Sequence, residues 1–156
     1  YDKKEAILHK RTIPFGSLYD VSSLENVIED FCGQTTFHQS LVPTVGVVYD
    51  VLARANRAFC SWDEEIFLKK DIILASAAAP ILFYPRVISP INFNTLPPKS
   101  YFVIDGGIGA NNPSALMIKQ AKRLYPNVKE FELVSLVAGI VREPVYYDVF
   151  NYGLTF

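Results

Sequence analysis

Residues 101–113, YFVIDGGIGANNP, decide how this chain is read. Tyr101-Phe102-Val103-Ile104 has the composition of a short buried strand. It delivers the carboxylate of Asp105 at its C-terminal end. Gly106 and Gly107 follow, and Asn111-Asn112-Pro113 then opens a helix, with Asn112 as cap and Pro113 at the first helical position. In open α/β sheets, ligands bind beyond the carboxyl ends of the strands. The two glycines carry no Cβ, so a ligand or another stretch of chain can approach the Asp105 carboxylate. A plain Asp-Gly turn stays open as the alternative, because this dipeptide also favours hairpins. The following GIGANNP is poor strand material.

Working outward, residues 71–79 (DIILASAAA) predict a helix stopped by Pro80, with Ala and Ser allowing close packing on a neighbour. Before it, Asp63-Glu64-Glu65 and Lys69-Lys70 bracket a short helical segment in which Glu65 and Lys69 form an i,i+4 pair. Residues 43–51 (PTVGVVYDV) predict a strand buried on both faces, paired with residues 58–62 across the turn Arg54-Ala55-Asn56-Arg57. Residues 22–32 predict a helix. Ser22 and Glu25 have capping-box spacing, Leu24, Val27, Ile28 and Phe31 share a face, and Gly33 is placed for a left-handed cap. A turn is expected at Pro14-Phe15-Gly16. On the far side, a helix running to Leu124 ends at Tyr125-Pro126, and residues 131–138 (FELVSLVA) predict a further buried strand. Residues 80–100 hold five prolines and read as a long loop. Its Ile81, Leu82, Phe83, Tyr84, Ile88 and Ile91 either line a lipid-access surface or pack beneath the loop. Strands alternating with helices argue for α/β layering.

The chain has 156 residues, 50% apolar, 20% charged and 13% aromatic, which excludes a disordered chain. Fifteen basic and 16 acidic side chains give a net charge of −1, so nothing drives phosphate binding and nucleic acid is excluded as a partner. No apolar run reaches the ~18 residues of a membrane span. Cys32 and Cys60 are too few for a disulfide framework and read as two reduced, buried thiols. No HExxH or Cys/His cluster offers a metal site, and the glycines of 106–109 lack the third position of a dinucleotide fingerprint. No metal or cofactor is expected. Ser76 lacks the strand-to-helix turn and the preceding glycine of a nucleophile elbow, and reads as a small residue in a tight helix contact.

Two segments together, ASAAAPILFYP (75–85) and YFVIDGGIGANNPSALM (101–117), resemble the patatin-like lipid acyl hydrolases. Ala75-Ser76-Ala77-Ala78-Ala79-Pro80 resembles that family's Ala-Ser-x-Ala-Ala-Pro helix end. Asp105-Gly106-Gly107 and Asn111-Asn112-Pro113 match its next two motifs. The segment LVSLVAGI resembles its Ser-Leu-Gly-Thr-Gly strand, with Val137 and Ala138 where Gly and Thr are usual. The resemblance implies a three-layer α/β fold around a central, mostly parallel sheet. It also implies a phospholipase A-type ester hydrolase acting on membrane lipids through a Ser-Asp dyad. Asp105 would take the serine proton directly, without histidine. A carboxylate is a weak base at neutral pH, so apolar walls from Tyr101 to Ile104 and contact with the hydroxyl must assist it. The two histidines, His9 and His38, lie away from every motif.

No glycine is followed two places later by serine, so a G-x-S-x-G elbow does not occur in these residues. The first residue is Tyr, no signal-like stretch follows it, and the aromatic-rich residues 144–156 resemble a segment that continues in the family. The expectation is therefore the C-terminal portion of a single patatin-like domain, inactive by itself, whose nucleophile belongs to an upstream portion. The alternative is a catalytically inactive module that kept the fold and binds lipid or a protein partner.

Overall fold

A computed structural model describes residues 17–92 and 99–136. The turn expected at Pro14-Phe15-Gly16, His9, and the stretch containing Val137, Ala138 and the aromatic residues 144–156 lie outside the described residues.

Four strands form one sheet: β1 (Val45–Asp50), β2 (Ala55–Cys60), β3 (Arg86–Ile88) and β4 (Tyr101–Asp105), in the order β2-β1-β4-β3. Val-rich β1 sits inside the sheet, paired with β2 from Val45↔Cys60 to Asp50↔Ala55 and with β4 at Val48↔Asp105, Tyr49↔Ile104 and Asp50↔Val103. β3 pairs with β4 at Arg86↔Val103 and Ile88↔Tyr101. Every neighbouring pair among these strands is antiparallel, which corrects the expectation of a mostly parallel sheet. For β4 the directions follow from which strands meet in the folded sheet, whereas for β1 and β2 the physical reason is local. The β1–β2 connection is only residues 51–54, and a connection that short can only turn a strand back on itself.

Asp50 builds that turn. Its Oδ1 accepts the N–H groups of Leu52 and Ala53 at 3.1 and 2.9 Å, and its Oδ2 pairs with Arg57 Nε at 3.0 Å. The turn thus lies three residues before the expected position, and Ala55-Asn56-Arg57 already belong to β2.

Helix α1 (Ser22–Cys32) and helix α2 (Lys69–Ser76) pack side by side, and α2 lies across the sheet. The core beneath α2 joins Ile72 and Ala75 to Phe37, Val48, Phe59, Phe67, Ile88, Tyr101 and Val103. Contact at Gly46 is close enough that a Cβ there would stand 2.2 Å from Ile72 Cγ2. The expected close packing of the Ala/Ser helix is realised, although the helix begins at Lys69 and ends at Ser76. The short helix expected around residues 63–70 is replaced by a bend, in which one acidic side chain closes a local turn and another serves a tertiary contact. Asp63 accepts the Cys60 N–H, and Glu65 bonds the Tyr101 hydroxyl and Lys99 rather than Lys69.

Short helix α3 (Gly107–Ala110) touches β1 and β2, and helix α4 (Ser114–Leu124) follows it. Residues 131–136 form no strand and carry Leu133, Val134 and Leu136 exposed, against the expectation of a buried strand. A strand needs a ladder to pair with, and the described residues provide none there. The capping box expected at Ser22 is also absent: Val21 holds the cap position, and Glu25 turns instead to Arg86. Gly33 has a positive φ of 53°, but its ψ of −134° lies outside the left-handed helical cap.

Candidate functional site around Asp105

Asp105 closes β4, and by register it shares the face of Val48 and Val103, against which α2 packs. The carboxylate is half-buried. Of the walls expected around it, Tyr101 and Val103 turn into the core, while Phe102 and Ile104 are half-buried on the other face. Asp105 Oδ1 accepts the Gly107 N–H at 2.8 Å, an Asx turn that fixes the side chain over its own backbone. Among the described residues no hydroxyl reaches this carboxylate.

The backbone under Asp105 is held by the end of α2. The Asp105 N–H donates to the Ala78 carbonyl at 3.1 Å, and the Gly106 N–H to the Ser76 carbonyl at 3.4 Å. The Ser76 hydroxyl donates to the Val47 carbonyl of β1 at 2.7 Å. Ser76 is thus the small residue in a tight contact that its sequence setting suggested. Gly106 is buried so closely on β1 that a Cβ would lie 2.2 Å from the Val47 oxygen. The glycine is required there by another part of the chain. Gly107 stands beside the carboxylate itself: a Cβ at this position would come to 3.3 Å from both Asp105 oxygens and 3.2 Å from Asn111 Oδ1.

Asn111 therefore borders the same small space as Asp105. Asn112 accepts the Ser114 N–H and hydroxyl at 3.1 and 2.6 Å. Helix α4 starts at Ser114, so Pro113 takes the cap position rather than the first helical one, and its carbonyl accepts the Met117 N–H. The group thus comes together as follows: Asp105, Gly107 and Asn111 are adjacent, Gly106 faces β1, and Asn112 and Pro113 shape the entry to α4.

Beyond the Ala78 wall lies a half-open cleft of about 250 Å³, formed by Val21 and Leu24 of the α1 region, Leu74, Ala77 and Ala78, and the segment Phe83 to Val87, with Arg86 and polar backbone groups contributing more of its open surface than apolar carbon does. From the proposed lipid-access loop, Phe83 and Tyr84 line this cleft, Ile81, Leu82 and Ile91 are exposed, and Ile88 is buried in the core. His38 is engaged elsewhere, its Nε2 against the Asp63 carbonyl. Cys60 is buried and Cys32 only half-buried; both are free thiols. Burial pushes the Cys60 thiol up to about 12, with the charge and hydrogen bond of Asp63 adding to it, so it is no nucleophile. Among the described residues no group of side chains could hold a metal ion, and no helix is long and apolar enough to cross a membrane.

What sequence reasoning missed is the support: the carbonyls of Ser76, Ala78 and Val47. Its signal was the run of small residues before Pro80, which permits backbone-to-backbone contact.

The class defined so far is an α/β protein with a carboxylate at a strand end. No protein-family model matches the chain. Comparison with curated proteins shows similarity to patatin-like proteins. Over 119 residues, 72% of this chain, it is 29% identical to patatin-like protein 1 of Arabidopsis thaliana. Over 139 residues, 78% of the chain, it is 25% identical to patatin-like protein 1 of Oryza sativa subsp. indica. Over 110 residues, 66% of the chain, it is 31% identical to patatin-like protein 2 of Arabidopsis thaliana. The matches cover 28%, 34% and 26% of these relatives, so the chain spans between a quarter and a third of their length.

Proposed function

We propose that this chain is part of a patatin-like lipid acyl hydrolase and supplies its general base, Asp105. The observation that carries this reading is the setting of that carboxylate. It is half-buried at the end of β4, its backbone is tied to α2, and Gly107 leaves it uncrowded. The similarity to patatin-like proteins supports it.

In this reading a serine from polypeptide outside these 156 residues attacks the ester carbonyl of a membrane lipid or phospholipid. Asp105 takes the hydroxyl proton as the serine oxygen bonds to carbon. The same proton passes to the departing alcohol when the ester C–O bond breaks. Water then releases the fatty acid from the acyl-serine, with Asp105 taking the water's proton and passing it to the serine oxygen as the acyl C–O bond breaks. Gly107 keeps the space beside the carboxylate free for the serine, Asn111 borders it, and Asn112 and Pro113 fix the start of the following helix. The 156 residues alone lack the nucleophile and are inactive.

The test is Asp105→Asn in the full-length protein, assayed with a phospholipid and with a p-nitrophenyl acyl ester. The expected loss in kcat is about 10²–10⁴-fold. Wild-type turnover by that variant removes the assignment and leaves the inactive, lipid- or partner-binding module as the reading.

A further inference from the structure

The β1–β4 ladder stops one rung short of where its register would carry it. Its last pair is Val48↔Asp105, so the next would be Val47↔Gly106. Those two groups do not bond each other. The Val47 carbonyl instead accepts the Ser76 hydroxyl at 2.7 Å, and the Gly106 N–H donates to the Ser76 carbonyl at 3.4 Å. Ser76 thus stands in for the missing rung with its own donor and its own acceptor. Two residues on, Ala78 holds the Asp105 N–H at 3.1 Å. The backbone on both sides of the carboxylate therefore hangs on the end of α2, and the Ser76 hydroxyl hydrogen-bonds that end to β1, where Ala75 also packs beside Val48.

We propose that Ser76 is a positioning residue for Asp105: its hydroxyl splices the end of α2 into the β1–β4 ladder and so fixes the carboxylate in its working place. This rests on the reading of Asp105 as general base. Ser76 touches no reacting atom. Removing its hydroxyl leaves the Val47 carbonyl without its partner and frees the strand end to shift against β1. A general base displaced by a fraction of an ångström still permits substrate binding but transfers the proton poorly, so the defect falls on kcat rather than on KM.

The experiment compares Ser76→Ala, Ser76→Thr and Asp105→Asn in the full-length protein, with p-nitrophenyl ester turnover and amide hydrogen exchange as readouts. Ser76→Ala is expected to lower kcat by about 10- to 100-fold with KM within about twofold. It should also speed exchange at the Asp105 and Gly106 amides, leaving Phe102 and Val103 protected. Ser76→Thr keeps the hydroxyl and should retain wild-type kcat. Should Ser76→Ala not fold, Ser76→Cys, with a weaker donor, takes its place and is read the same way. Wild-type kcat in Ser76→Ala beside an inactive Asp105→Asn overturns the positioning role alone. The same holds if Ser76→Thr loses as much as Ser76→Ala. An active Asp105→Asn overturns the base assignment and this proposal with it.

Discussion

At Gly106 a single added methyl group sets β1 against β4. The Val47 oxygen and carbonyl carbon would lie 2.2 and 2.8 Å from it, and both are backbone atoms that cannot rotate away. Gly106→Ala should therefore cost about 1–3 kcal/mol, seen as a lower urea midpoint at unchanged slope. An unaltered midpoint would mean the strands are not in this close contact. Asp50 makes a second residue-scale case. Burial works to raise its pKa, but the Ala53 N–H, Arg57 and the Leu52 N–H outweigh burial and hold the carboxyl below its usual value. A carboxyl depressed by folding contributes stability above its unfolded pKa of ~3.9 and loses it as pH falls through the lower folded value. The stability advantage of wild type over Asp50→Asn should thus be constant near neutrality and shrink in acid below about pH 4. Asp71 is shifted the opposite way, chiefly by burial, and is present in both proteins, so it cancels in that difference. A gap that widens in acid would contradict the assignment.

At the scale of elements, α1 has the more amphipathic sequence of the two neighbouring helices, yet α2 buries far more. Helix α2 sets Ile72, Leu74 and Ala75 inside the molecule. Helix α1 buries no residue completely, and its predicted apolar face leaves Val27 51% and Phe31 86% exposed. Only Leu24 reaches the cleft wall. What ties α1 down is charge, through Glu25 with Arg86 and Glu29 with Lys70. Exposed pairs of this kind contribute about 0–1 kcal/mol each. Ile72→Ala should cost about 2–5 kcal/mol, the usual range for a fully packed aliphatic residue. Phe31→Ala should change stability by no more than about 0.5 kcal/mol. Thermal or urea unfolding of the two variants separates them, and a large loss at Phe31 would show that something covers α1.

For the whole molecule, the described surface carries many large apolar side chains. Leu41 is fully open, and Phe31, Leu52, Val134 and Leu136 are each more than 70% exposed. The outer edges of β2 and β3 have no partner strand among the described residues. Unpaired edges beside apolar surface invite association with other chains. The isolated 156 residues should therefore bind a hydrophobic dye and elute as concentration-dependent oligomers in size-exclusion chromatography. Expressed as the full-length protein, the same residues should do neither. A well-behaved, dye-free monomer of the isolated chain would speak against the missing-portion reading.

The local code was legible where a short stretch dictates its own structure. The Val-rich β1, the strand ending in Asp105, helix Ser22–Cys32 and the helix after Asn112-Pro113 all follow from side-chain pattern within a few residues. The candidate base, its flanking glycines and the resemblance to patatin-like proteins could likewise be read from consecutive letters. Beyond the β1–β2 hairpin, pairing direction could not, because it depends on which strands meet, and residues far apart in the chain decide that. The fate of residues 131–136 had the same cause, since an apolar run becomes a strand only where a ladder awaits it. Tertiary structure also decided why Gly106 is glycine and what Ser76 does. The carbonyl of Val47 that both of them meet lies 29 residues before Ser76, and the contact exists only once α2 lies across the sheet.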